Sequence, residues 1–335
     1  MGLSARDSNA VWLRDINIHG MANSGVHAGR LSGWTMERIR INANAWAGWN
    51  GNIGENSSNW ADIIFREAEI GWNGCLERYP TGEIFGCWGQ IGGGWGDGIG
   101  LAESAGHFIF EDSTIHHNTS DGIDLLYLND FGSATIKRTL VESNAGNQVK
   151  VSRSARIENS VIVGNCSYFK DHPNMLVGDH CRALGDAVFV GLSNNSQTDL
   201  INNTITGEGN CVISGGGGSG ASRLRLINNL LIGNRYALDP SKQSCLYYSG
   251  SDEQMVWDRN FVRAVRNNHC PGNSLCNGSP QLTDARLSSF DATPRQTSPL
   301  IGAATNSLAP ALDYLGLPRG RTGRTDIGAI EYRPE

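Results

Sequence analysis

A chain of 335 residues can hold one large domain or two ordinary ones, with a substantial core in either case. Its 43 glycines, its 39% hydrophobic content and its lack of long helix-period segments favour short strands and many turns, so an all-β protein is expected. A formal net charge of -6 excludes a sequence-independent nucleic-acid binder, which needs a basic surface, but it admits an anionic substrate if a metal ion supplies positive charge.

At the start, Met1 to Asn9 lacks the apolar core of a signal peptide, and no apolar run approaches the roughly 20 residues of a membrane span. No nucleic-acid or membrane partner is expected, and no segment signals an oligomer, so the expectation is a monomer. Eight cysteines stand at 75, 87, 166, 181, 211, 245, 270 and 276, an even number without a C-x-x-C. Disulfides are favoured over zinc, with neighbour pairing (75 with 87, 166 with 181, 270 with 276) the simplest connectivity. That implies a secreted or periplasmic setting, reached with a signal peptide that this chain does not include. Residues 43–64, 74–96 and 165–185 fit no short repeat and read as flanking loops. Eight of the nine tryptophans precede residue 96. They either pack these loops and the first coils or line a sugar-binding groove, with Trp88 and Trp95 the candidates for the groove.

From residue 97 a repeat emerges. "DGIGL" from Asp97, "DGIDL" from Asp121 and "NQVKV" from Asn147 superimpose without gaps, at spacings of 24 and 26. "DAVFV" from Asp186, "NCVIS" from Asn210 and "NRYAL" from Asn234 extend the series, and a second strand precedes several of them, as in "STIHHN", "TLVESN" and "NLLIGN". Such units cannot bury an apolar side alone, so they stack, and parallel strands about 4.8 Å apart generate a solenoid. Asn and Asp suit its sharp turns. The expected fold is a right-handed parallel β-helix, a single domain over 1–335 with loop-rich C-terminal coils and a cap over 235–335. The closing segment, with "SPLIG", "LPRG" and "TDIGAIEY", resembles the end of many secreted bacterial β-helix proteins, and that resemblance implies a cap on the last coil.

Strand parity places the chemistry. Ile99 and Leu101, Ile123 and Leu125, Val149 and Val151 point inward, so Gly100, Asp124 and Lys150 form an outward stack, beside a turn stack of Asp97, Asp121 and Asn147. Three carboxylates this close repel unless a cation sits between them, and calcium suits an all-oxygen site better than magnesium. The plainer alternative is that Asp97 and Asp121 only shape turns while Asp124 pairs with Lys150.

"NTSDGIDLLYL" with "NQVKVS" resembles the catalytic region of the family 9 polysaccharide lyases, β-helix pectate lyases, over about residues 96–152. The resemblance implies calcium held by Asp97, Asp121 and Asp124, and Lys150 as the base. Ser120 stands where the family motif has its first aspartate. The implied reaction is calcium-assisted β-elimination on an anionic, uronic-acid-containing polysaccharide, with His116, His117 and Arg153 joining Trp88 and Trp95 as substrate-binding candidates. Two alternatives stand beside it. One is a β-helix glycoside hydrolase, faintly suggested by "NTSDG" and the two histidines but lacking a second acidic pair. The other is a non-catalytic carbohydrate-binding surface protein.

Overall fold

The computed structural model describes residues 1–89, 95–170, 172–177, 180–248, 255–320 and 323–334. The short alternating apolar segments become strands of a right-handed parallel β-helix. In a typical coil, Ile123–Leu125, Ser133–Lys137 and Leu140–Glu142 each bury alternate side chains. The sequence suggested two strands per coil, but there are three. The strands of the middle face, such as His107–Glu111 and Ser133–Lys137, pair in register from rung to rung. They escape a fixed-period search because loops of varying length connect them to the first face.

The first face carries Trp49–Asn50, Ile99–Gly100, Ile123–Leu125, Val149–Ser152, Val188–Leu192 and Cys211–Gly217 in parallel succession. Residues 43–64 are therefore not simply a flanking loop: they hold Trp49–Asn50 and the start of Trp60–Arg66. Two other alignments also shift. Val188 pairs with Ile213, which sets Cys211 rather than Asn210 opposite Asp186. The next rung of this face is Cys245–Tyr248, paired through Cys211, and not the segment from Asn234.

The third face is a nine-stranded sheet from Asn17–His19 to Phe261–Arg263. Where it turns toward the first face, buried amides form a ladder. Asn44 donates to Asn73 (2.9 Å), Asn73 to Asn118 (2.8 Å), Asn118 to Asn144 (2.8 Å) and Asn144 to Gln148 (2.9 Å). The turn between the second and third faces repeats a left-handed residue, including Arg38, Glu67, Asp112, Arg138, Asn159, Asn202 and Asn228, with φ from 47° to 59°. Just before that turn, Arg14, Glu37, Arg66, Glu111, Lys137 and Glu158 stack in register with alternating charge. Each exposed pair contributes at most about 1 kcal/mol, but a one-rung error would set like charges together. Inside, Trp49 meets Phe65 edge-on (5.3 Å) and Phe65 stacks on Phe110 (4.8 Å).

Four disulfides join Cys75–Cys87, Cys166–Cys181, Cys211–Cys245 and Cys270–Cys276. The first pins an antiparallel hairpin, Cys75–Arg78 with Glu83–Trp88, which pairs with Met175–Val177. The flank stretches 74–96 and 165–185 thus meet one another; residues 90–94, 171 and 178–179 of them lie outside the described residues.

Among the described residues the tail does not cap the last coil. Leu275 pairs there instead, exchanging backbone hydrogen bonds with Asn260 and Val262. The tail runs back along the third face. Its Leu300 and Ile327 pack on Leu230, Ile232 and Phe261, and Ala329 and Ile330 pack on Val161 and Val163. Those outward apolar positions are what require a cover.

Candidate active site

The stacked turns bring the acidic residues together because each turn aspartate accepts a hydrogen bond from the next rung's backbone. Asp121 N donates to Asp97 Oδ1 (3.1 Å), and Asn147 N donates to Asp121 Oδ1 (2.7 Å). Ser120 is buried and its hydroxyl also bonds Asp97. Gly100, Asp124 and Lys150 are in register on consecutive rungs, as parity required. Lys150 Nζ lies 2.5 Å from Asp121 Oδ2 and 3.4 Å from Asp124 Oδ2. Both features of the plainer alternative, turn-shaping aspartates and a lysine ion pair, are thus present within the same cluster.

Burial pushes the Asp97 carboxyl well above the usual range, and the charges of Asp121 and Asp124 push it further. Asp124 is also raised, by burial and by Asp121, with Lys150 opposing. Burial alone would lower the Lys150 ammonium, but Asp121 and Asp124 outweigh it and hold the amine above the ordinary lysine range.

Among the described residues no three Asp, Glu, His or Cys side chains are arranged to hold a metal ion. Lys150 is the cation that Asp121 and Asp124 face. Two carboxylates pair with the one ammonium, and Asp97 adds a third carboxyl group on the preceding rung. Gly100 also keeps the approach open, since a Cβ there would come within 2.8 Å of Asp97 Oδ2.

Asp97 and Asp124 line a cleft of about 630 Å³ with Trp46, Trp49, Asn50, Glu103 and Tyr127. Lys150 lines a second hollow, about 430 Å³, over the following rungs. Trp95 reaches the first cleft only by stacking on Trp46 (4.6 Å), and Trp88, in the flanking hairpin, is not among that cleft's lining. Arg153 lines a further hollow beside Tyr127, but its guanidinium is tied to Leu128 O (3.0 Å) and Asp130 (2.6 Å).

His116 and His117 lie at the other end of the turn, on the third face. His116 Nε2 is 3.6 Å from Glu69, and His117 stacks on Trp72 (4.6 Å) and meets Tyr168 edge-on (4.3 Å). Burial, with His116 and His172 nearby, lowers His117 to about 3, so it stays neutral. The histidines belong to this aromatic cluster and not to the cleft lining.

Asn50, Tyr127 and Phe189 went unread in the sequence. Asn50 and Phe189 belong to the same outward stack as Asp124, visible only once the rung register is known. Tyr127 follows that strand in a turn and is 60% exposed, a signal that parity alone does not carry.

Among solved structures, pectate lyase Pel9A is similar to this chain, with a TM-score of 0.48 and 14% identity over 95% of this chain and 70% of that one. No curated protein sequence matches the chain. The family described as right handed beta helix region matches residues 1–172, just over half of the length. The chain belongs to the right-handed β-helix family.

Proposed function

We propose that this chain is an extracytoplasmic polysaccharide lyase that cleaves a uronic-acid-containing polysaccharide by calcium-assisted β-elimination. The observation that carries this reading is the cluster of Asp97, Asp121 and Asp124, two of them paired with Lys150, with Asp97 and Asp124 lining a cleft beside Trp46 and Tyr127 and Lys150 lining a second hollow. The four disulfides agree with an oxidising compartment.

Asp97, Asp121 and Asp124 would hold the ion. When bound, calcium neutralises carboxylate charge and makes the proton beside the sugar carboxylate more acidic. The protein's own part is to position and to move that proton. Trp46 and Tyr127 offer amphipathic faces for the sugar ring. Lys150 stands as the group that takes the proton from C5; the electron pair left there forms the C4–C5 double bond as the C4–O glycosidic bond breaks, and the leaving oxygen takes a proton from water. As an ammonium held by Asp121 and Asp124, Lys150 has no lone pair to use, so proton abstraction requires those two charges to be committed elsewhere. Base and acidic cluster therefore work as a unit, and activity should rise toward alkaline pH, where a raised lysine loses its proton.

Pectins, alginates and glycosaminoglycans incubated with the protein, in calcium and in chelator, provide the test. Calcium-dependent ultraviolet absorbance of an unsaturated uronide, lost in Lys150→Ala, is the expected result. New reducing ends without that absorbance would identify a hydrolase. Retention on a polysaccharide with neither product would identify a binding protein.

A further inference from the structure

We propose that the hollow beyond Lys150 receives an uncharged sugar unit, so that the preferred polymer alternates, or mixes, a uronate with a neutral or esterified residue. The proposal deepens the lyase reading and rests on it for the position of the uronate. Phe189 is the next residue of the outward stack after Lys150, one rung or about 4.8 Å further along the groove. It lines the hollow with Leu126, Ala183 and Leu184, and the polar side of the lining is Asn147, Asn210 and Ser214. Leu184 is 50% exposed, so an apolar surface stands open to water beside the candidate base. The C–H face of a pyranose covers such a surface well.

The charges point the same way. Among the described residues Lys150 is the one basic side chain of this lining; it is either paired with Asp121 at 2.5 Å or, in the lyase reading, the uncharged base, and in neither state does it pair with a second uronate. Asp186 also lines the hollow and would face any carboxylate placed there. Arg153 lies in the adjoining hollow, bound to Asp130, and Arg266 donates to Asn210 (3.3 Å) without lining the hollow. A second consecutive uronate would therefore face Asp186 and the apolar surfaces of Phe189 and Leu184 with no cation of this lining to pair with, and an uncharged ring is favoured over it there. A homopolymer of uronate, charged at every ring, fits this groove poorly.

Three polymers separate the cases: a fully de-esterified polyuronate, its methyl ester, and a polymer alternating uronate with a neutral sugar. Binding is measured by affinity electrophoresis with Lys150→Ala, which needs no turnover, and cleavage is followed by unsaturated product with the unsubstituted chain. The expected result is at least tenfold weaker binding of the polyuronate than of one of the other two, and the identity of the better ligand tells ester from neutral sugar. Phe189→Arg, or Leu184→Lys should the first variant not fold, is expected to erase that preference by tightening polyuronate binding. The proposal falls if polyuronate binds best, if no polymer binds, or if neither added cation changes the ranking. If the ranking and its reversal hold but no unsaturated product forms, this inference stands and the lyase reading fails. If product forms and polyuronate is preferred, the lyase reading stands and this inference fails.

Discussion

Asp97 buries a carboxyl group beside two others, and its Oδ1 accepts the backbone N–H of Asp121, so it both shapes the turn and adds a third acid to the cluster. Because burial and its acidic neighbours raise its folded-state pKa, folding favours the protonated acid. The stability this lends is complete below the unfolded carboxylate pKa of about 4 and is lost as pH climbs through the raised folded value. In chelator, melting temperature should therefore fall as pH rises from about 4 toward 8. Asp97→Asn keeps the acceptor oxygen and removes the charge, so it should flatten that decline and gain about 1–3 kcal/mol at pH 8, a scale set by one uncompensated buried group. Calorimetry across this pH range checks the prediction, and parallel slopes for the two proteins would show that Asp97 is not the charge at issue. Calcium should stabilise the unsubstituted chain at pH 8 and do less for Asp97→Asn.

The amide ladder works at the scale of a coil. Asn118 accepts from Asn73 and donates to Asn144 with no exposure to water, linking three successive turns. Asn118→Ala removes the oxygen that accepts from both the backbone N–H and the side-chain amide of Asn73, while Asn73 Nδ2 keeps Ile41 O and Asn144 Oδ1 keeps the backbone N–H of position 118, so the cost is about 1–3 kcal/mol for the orphaned N–H. The urea midpoint should fall accordingly while the slope of the transition stays fixed. Thr114→Ala on the outer surface of the same coil should cost under about 0.5 kcal/mol. Such turns explain what could be read beforehand. Ile99, Ile123 and Val149 announce a rung because the next strand repeats their parity at 24 or 26 residues, and Asp97, Asp121, Asp124 and Lys150 follow from the same spacing. Asn50 could not be read this way, since the hairpin between it and Gly100 nearly doubles the interval. The Asn210 register slipped by one because "NCVIS" offers two plausible phases, and only the pairing of Val188 with Ile213 chooses between them. His116 and His117, adjacent to the acids in sequence, point to a different surface because the turn at Asn118–Ser120 separates two faces.

The whole molecule depends on a contact between distant parts of the chain. The tail lies along the third face and covers Val161, Val163, Leu230, Ile232 and Phe261, which no sequence pattern in the tail alone reveals, because the cover and the covered are up to about 170 residues apart. Arg319 fastens it. Its guanidinium is buried, donates to Asn159 Oδ1 (2.7 Å) and to the carbonyls of Gly328 and Ala329 (2.8 Å each), and pairs with Glu331 (2.9 Å). Replacing it by methionine preserves volume but leaves Glu331 as a buried charge without its partner, at a cost of about 3–5 kcal/mol. The solenoid's own rungs do not include Arg319, so this loss should fall first on docking of the tail. Arg319→Met is expected to bind a hydrophobic dye as the third face becomes exposed, and to be cleaved by protease between residues 298 and 331 before the coils are cut. Adding Glu331→Gln should recover part of the loss, because the uncompensated charge is then gone. If Arg319→Met resists protease and heat as well as the unsubstituted chain, the apolar contacts and the hydrogen bonds through Asn159, Asn202, Thr204 and Asn228 hold the tail, and the buried ion pair contributes nothing to its docking.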